Sequence, residues 1–452
     1  MGQWLEPIDT GEVPSDGSEF DVVVVGGGPC GSAAAAYNAL NGCKVLLIEK
    51  ETWPRDKACG DAVGGKSLSH VKELGVKEMI EETPYFTVDS IVFGSANGNS
   101  VRVMLPQEEL EKKMAGYSLP RIQFDYMMFK RATEIVKGAG GSVIQGFSVE
   151  EVTVDDGRIK GVTGRFGGRG SDGGTLSFTA PLTIGAGGYR CPVATTLVEL
   201  IHGEAMRDDD HYCGAYREYW EGVEGFEGSQ GPIEIHFIDE VIPGYFWIFP
   251  VQEGVVNVGI GMVISEQRKQ KGADKSLKKK QKWVINEHPV FKERFKNAKI
   301  VEGSQKGWQL PFGSPRKKPP SFQPRRSAGA GVMCVGDAAS LVDPFTGEGI
   351  GNGLVSAKMT SKYFDKDVHS DFFPEDAATA YMEDLWGTLG KELTNSYRLQ
   401  KLVKWKKVMS WFVGKASRKE EMADMLTGMI ADKEASKALW NPWFLFKTLV
   451  LP

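Results

Sequence analysis

The stretch FDVVVVGGGPCGSAAAAYNALNGCKVLLIEK, residues 20–50, decides the fold. Four consecutive valines, Val22 to Val25, read as a buried strand of the kind found in parallel sheets. Gly26, Gly28 and Gly31 follow in the spacing G-x-G-x-x-G, directly after that strand and at the opening of an alanine-rich helical stretch. A second apolar run, VLLIE, then completes a βαβ unit. In that context the three glycines have distinct roles. Gly26 permits the tight turn, Gly28 lets backbone approach a pyrophosphate, and Gly31 allows close packing of helix on strand. The helix N-terminus faces the phosphate charge. Glu49 ends the second strand, 18 residues after Gly31, where a carboxylate can accept both ribose hydroxyls. A dinucleotide is therefore expected against Gly26, Gly28, Cys30, Gly31 and Glu49.

The rest of the composition narrows the class. The 452 residues are enough for two or three lobes, and 41% hydrophobic with 25% charged residues is ordinary for a globular protein. A net charge of -5 argues against a nucleic-acid partner. Six cysteines, at 30, 43, 59, 191, 213 and 334, stand singly with no C-x-x-C and no zinc-ligand spacing, so no metal is expected. The first twenty residues lack a basic start followed by an apolar run, and a short mobile tail on a cytoplasmic protein is expected there.

Along the chain, QFDYMMFKRATEIVKGAGG is patterned as a helix and SVEEVTVDDGRIKGVTGRF as a hairpin. Residues 200 to 265 are strand-rich, and the lysine-rich stretch after them is helical with a solvated face. These patterns place a nucleotide-binding domain at 20–85, 116–200 and 325–365, and a substrate domain at 86–115 and 201–324. A tail occupies 1–19 and a helical C-terminal region 366–452.

The segment VMCVGDAASLVDPFTGEGIGNG delivers Gly336 and Asp337 on a buried strand and then opens another helix near Gly349. It resembles the second FAD signature of glutathione-reductase-like and hydroxylase-like flavoproteins. That resemblance makes FAD the cofactor, with Asp337 at its ribityl and pyrophosphate region and Gly349 and Ile350 against the isoalloxazine ring. SLPRIQFDY resembles the R-x-x-F-D segment of the same enzymes and puts Arg121 near the flavin. LTIGAGGYR stands where many flavin hydroxylases have G-A-D-G, and Gly187 replaces the aspartate. Direct reduction by NADPH is thereby in question.

Two further stretches resemble the geranylgeranyl reductase family: Tyr245-x-Trp247-x-Phe249-Pro250, and KACGD around Cys59. The resemblance spans about residues 20 to 360. It implies an α/β protein with a Rossmann-like FAD-binding domain of the hydroxylase/glutathione-reductase type, an antiparallel-sheet substrate domain and a helical C-terminal region. It also implies saturation of C=C bonds in geranylgeranyl chains by hydride transfer from reduced flavin, and a polyprenyl lipid substrate bound by Tyr245, Trp247, Phe249 and Pro250. The electron donor is NADPH, ferredoxin or another reductant. By the same resemblance Cys59, Gly60 and Ala62 contact FAD. The strand period of two independently puts Tyr245, Trp247 and Phe249 on one face, an aromatic wall suited to a flat apolar chain.

Cys59 carries two readings, a proton donor or substrate-orienting group, and a small residue shaping the loop; Lys57, Lys66 and the N-terminus of a following helix are expected near it. The C-terminal KLVKWKKVMSWFVGKASRKEEM and ALWNPWFLFKTLVLP mix lysines with aromatic residues. They are read equally as a peripheral membrane contact or as helices packed on the catalytic lobes. Three rival functions stand beside the reductase. A flavin-dependent halogenase or monooxygenase would carry W-x-W-x-I-P, from which Tyr245 and Phe249 depart. Electron-transfer flavoprotein–quinone oxidoreductase would need cluster cysteines that are missing after Cys334. A non-catalytic prenyl-binding chaperone of the GDP-dissociation-inhibitor type would not need Glu49, Gly336 and Asp337.

Overall fold

The computed structural model describes residues 5–105, 116–270, 275–316, 325–404, 413–415 and 417. Val22–Val25 lies at the centre of a sheet that has six strands among the described residues, parallel to Leu182–Gly185 on one side and to Val45–Glu49 on the other. Val332–Cys334 and Ser142–Gln145 extend it in parallel, and Ala328–Gly329 adds an antiparallel edge. All four valines are buried, as strands covered on both faces must be. The chain leaves Val22–Val25 at a point where neighbouring strands lead in opposite directions, so a crevice opens at the strand's carboxyl end.

Alanine explains how closely the first helix, Pro29–Leu40, seats. Ala33 to Ala36 are buried, and Asn38 Nδ2 donates to Thr360 Oγ1 of the helix Ile350–Tyr363 at 2.8 Å. The glycine-rich turn and the opening of the later helix are thus held together from behind. The helix Arg121–Gly138 lies on the same layer and leads into Ser142–Gln145. The predicted hairpin forms from Phe147–Asp155 and Arg158–Phe166, with Leu176–Thr179 as its third strand.

Among the described residues the second sheet has ten strands, with Tyr212–Glu221, Val255–Val263, Gly244–Gln252, Gln230–Phe237 and Phe86–Ser95 as successive neighbours. Its pairings are antiparallel apart from Gln230–Phe237 with Phe86–Ser95, which run parallel. On one face Phe246, Ile248, Val256, Val258 and Ile260 pack with Val284, Ile285, Phe291 and Phe295. Tyr245, Trp247 and Phe249 alternate with them and turn to the other face. The short strands Ala62–Val63 and Tyr117–Ser118 join this sheet at its far edge.

The segment between the two sheets is pinned at both ends. Trp53 stacks on Phe129 at 5.1 Å, and Asp56 receives Arg217 Nη2 at 2.7 and 2.9 Å. Glu375–Val403 is a long helix whose Tyr381, Leu385, Leu389 and Leu393 enter the main core. No helix among the described residues is long and apolar enough to cross a membrane. The lysine- and aromatic-bearing C-terminal stretches lie outside the described residues, apart from 401–404, 413–415 and 417.

Candidate active site

A cavity of about 2150 Å³ opens between the two sheets. That is about twice the upper end of a single small-ligand pocket, so it has room for two ligands side by side.

One limb is built by the glycine turn. Gly26 has φ 113°, and a Cβ there would come within 2.5 Å of the Ala186 carbonyl oxygen; one at Gly31 would come within 1.8 Å of the Gly26 oxygen. Both positions exclude a side chain because protein already fills the space. Gly28 differs, since a Cβ there would meet only Arg55 Nη2 at 3.5 Å. It faces the cavity, and the space before it suits a pyrophosphate. Glu49 lines the same limb with only 4% of its surface exposed. Its Oε2 accepts the Gly27 N–H at 2.8 Å and its Oε1 accepts the Glu51 N–H at 2.9 Å. The carboxylate is held fixed with lone pairs left for ribose hydroxyls. The far side of this limb is Gly349 and Ile350 at the start of their helix, with Asp337 paired to Lys57 Nζ at 3.4 Å. These residues fit an FAD laid from Glu49 past Gly28 and Asp337 to the N-terminus of Ile350–Tyr363. Cys30 also lines the limb, and burial pushes its thiol up to about 12, which makes it a small packing residue and no nucleophile.

The other limb is apolar. Tyr245, Trp247 and Phe249 form its wall, with ring centroids 6.0 and 6.4 Å apart in succession. Trp247 lies flat on Gly259, where an added Cβ would come within 2.0 Å of the indole. Val88, Ile91, Ile233 and Ile235 continue the lining. Pro250 is not part of it, because the strand period that turns Phe249 inward turns its neighbour to the opposite face.

The 57–62 loop separates the limbs. Gly60 touches Phe249, since a Cβ would come within 2.9 Å of that ring, and Ala62 enters the strand beside Ser118. Arg121 is 4% exposed and grips Asp125 through Nε at 2.5 Å and Nη2 at 2.9 Å. Burial is the largest influence and opposes its charge, but Asp125 and the Cys59 thiol together outweigh burial and hold the guanidinium well above its ordinary range. The expected surroundings of Cys59 are different. The helix after it begins only at Ser67, Lys57 is committed to Asp337, and Lys66 Nζ to Asn352 and Glu392. Arg121 is the cation at the thiol.

Sequence reading did not single out the groups that hold this loop. Asp61 is fully buried at φ 71°, a conformation an aspartate keeps only where its surroundings over-determine it. Its carboxylate accepts Tyr219 Oη at 2.5 Å, Asn257 Nδ2 at 2.7 Å and the Arg121 N–H at 3.3 Å. Burial lifts it to about 6 against these donors. The one signal in the sequence is an aspartate two places after Cys59 in a glycine turn.

Residues 19–220 match the family described as an FAD binding domain, and residues 214–303 match the geranylgeranyl reductase catalytic domain. The digeranylgeranylglycerophospholipid reductase 2 of Methanopyrus kandleri is 30% identical over 358 residues, 78% of each chain. The chain belongs to the geranylgeranyl reductase family. It is an FAD-dependent reductase. A menaquinone reductase of Mycolicibacterium smegmatis is 28% identical, covering 76% of this reductase and 75% of that protein. A geranylgeranyl bacteriochlorophyll reductase-like protein from Thermoplasma acidophilum superposes with a TM-score of 0.71 at 20% identity, over 93% and 98% of the chains. A flavin-dependent brominase reaches 0.69 at 19% identity over 91% and 93%, a likeness of fold alone. The reductase match takes the place of the halogenase, monooxygenase and chaperone readings.

Proposed function

We propose that the protein saturates C=C bonds of a geranylgeranyl chain carried on a polar lipid, of the archaeal ether-lipid type. The observation that carries this reading is the apolar limb, whose aromatic wall stands across the 57–62 loop from the FAD limb. The likeness to the digeranylgeranylglycerophospholipid reductases supports the same substrate. An isoprenoid quinone is the second reading, favoured by the likeness to the menaquinone reductases.

Bound FAD, once reduced, supplies a hydride. An isolated alkene accepts hydride poorly, so the chain's residues must lay it flat, exclude water and deliver a proton to the other carbon. Trp247 and Tyr245 provide the flat surface, and their faces stabilise cationic character at a tertiary carbon by about 1–2 kcal/mol when desolvated. Cys59 Sγ is the proton donor in this reading. The Arg121 guanidinium fixes where the sulfur points and faces the charge left behind. Cys59→Ser should keep its FAD and lose turnover about 100-fold, because a hydroxyl does not release its proton in this range. Full turnover in that variant would leave Cys59 as a loop residue.

The function itself is tested by mass spectrometry of a digeranylgeranyl phospholipid incubated with the yellow protein and dithionite. The expected product gains two hydrogens for each bond reduced. An unchanged mass with this lipid, beside a gain of two hydrogens that an isoprenoid quinone keeps after its ring is reoxidised in air, transfers the assignment to the second reading. Replacing dithionite by NADPH or by reduced ferredoxin then identifies the donor.

A further inference from the structure

We infer that Asn257 is a positioning residue of this reductase, locking the Trp247 indole and the Cys59 carbonyl into one unit anchored on the Asp61 carboxylate. The inference rests on the reading that Trp247 and Cys59 border the substrate chain. Asn257 is fully buried and does not line the cavity, so it acts only through its neighbours. Its Oδ1 accepts Trp247 Nε1–H at 2.8 Å. Its Nδ2 donates to the Cys59 carbonyl at 2.6 Å and to Asp61 Oδ2 at 2.7 Å. The amide therefore uses its acceptor on the aromatic wall and its donors on the loop between the limbs. Gly259 below the indole fixes its height, and Asn257 fixes its rotation.

The anchor is itself braced by charge. Around Asp61 stand Tyr219, with Arg217 over its ring at 4.1 Å and Asp56 behind that arginine, and Arg121, with Asp125 and Cys59 beside it. Asp61 titrates near 6, above the ordinary carboxylate range, because burial outweighs Arg217, Tyr219 and Asn257. Any group that replaces the Asn257 donor with an oxygen must therefore find a proton.

Asn257→Asp makes that replacement while keeping an acceptor for the indole. At pH 8 two buried carboxylates would face each other and repel; near pH 5.5 a shared proton restores a donor between them. The expected kcat is reduced about 30-fold at pH 8 and recovers to within about threefold of the wild type at pH 5.5, with KM changed less than about threefold and FAD content unchanged. Asp61→Asn combined with Asn257→Asp moves the donor to position 61. This double variant should lose the pH step and regain activity to within about tenfold across the range. It carries the test if the single variant does not fold.

A direct readout needs no substrate. The indole Nε1–H resonance of Trp247, assigned by its loss in Trp247→Phe, should move with the same pH step in Asn257→Asp. A loss of kcat equal at every pH, an unmoved resonance, or a folded double variant without recovery would each overturn the positioning role. If the wild type reduces no prenyl chain, the substrate reading fails by itself, and the resonance still decides the role of Asn257.

Discussion

Gly28→Val is expected to give a folded, colourless protein. Gly28 has φ -67° and ψ 177°, an extended conformation open to any residue and favoured before Pro29. A side chain there would meet ordinary contact with Arg55 and otherwise only cavity. Nothing in the fold requires glycine at this position; the expected requirement is the approach of the FAD pyrophosphate. The isopropyl group should weaken FAD binding by at least about two orders of magnitude, which is about 2.7 kcal/mol. The melting temperatures of the two apoproteins should agree within a few degrees, while only the wild type rises on adding FAD. Gly31→Val supplies the contrast, since its Cβ would lie 1.8 Å from the Gly26 oxygen and the protein should not fold. A yellow Gly28→Val protein with full FAD content would move the pyrophosphate away from this turn.

The contrast among these glycines shows what a sequence can convey. The spacing of Gly26, Gly28 and Gly31 after Val25 is a local pattern, and the structure gives it tight clearances at Gly26 and Gly31 and an open one at Gly28. The aromatic wall was equally legible, because alternation along one strand suffices to put Tyr245, Trp247 and Phe249 together. Pro250 went astray by the same rule: it belongs to the motif but faces away. The network behind the wall has no such signature. Asp61, Arg217, Tyr219 and Asn257 come from a loop and two strands far apart in the chain, and only the pairing of Tyr212–Glu221 with Val255–Val263 brings Tyr219 opposite Asn257. Buried polar groups of this kind are specified by mutual satisfaction in three dimensions, which no periodicity records. The partner of the Cys59 thiol escaped for the same reason. Lys57 and Lys66 are close in sequence, whereas Arg121 reaches the thiol from another helix.

Trp247→Ala should separate catalysis from cofactor binding more sharply than any other change to the wall. The indole is 7% exposed, and burying a Trp commonly contributes about 3–5 kcal/mol against alanine. Here the loss should be at the low end, because the vacated space joins an existing cavity that water can enter. Gly28, Glu49 and Asp337, which line the limb that fits FAD, belong to the other sheet and its turns, so the variant should remain yellow. Turnover of a prenyl substrate should nevertheless fall about 100- to 1000-fold. Loss of the aromatic face removes about 1–2 kcal/mol of stabilisation for a developing cation, and a loosely held alkene loses its alignment as well. Trp247→Phe keeps a face but no N–H, leaving Asn257 Oδ1 without its partner; its activity should lie between the two, with the deficit in kcat and little change in KM. The measurement is kcat per bound FAD under dithionite. If Trp247→Ala lost FAD and turnover in equal proportion, the indole would be a structural prop for the loop. If it lost neither, the chain would lie elsewhere in the cavity, and Tyr245 and Phe249 would be the rings to change next.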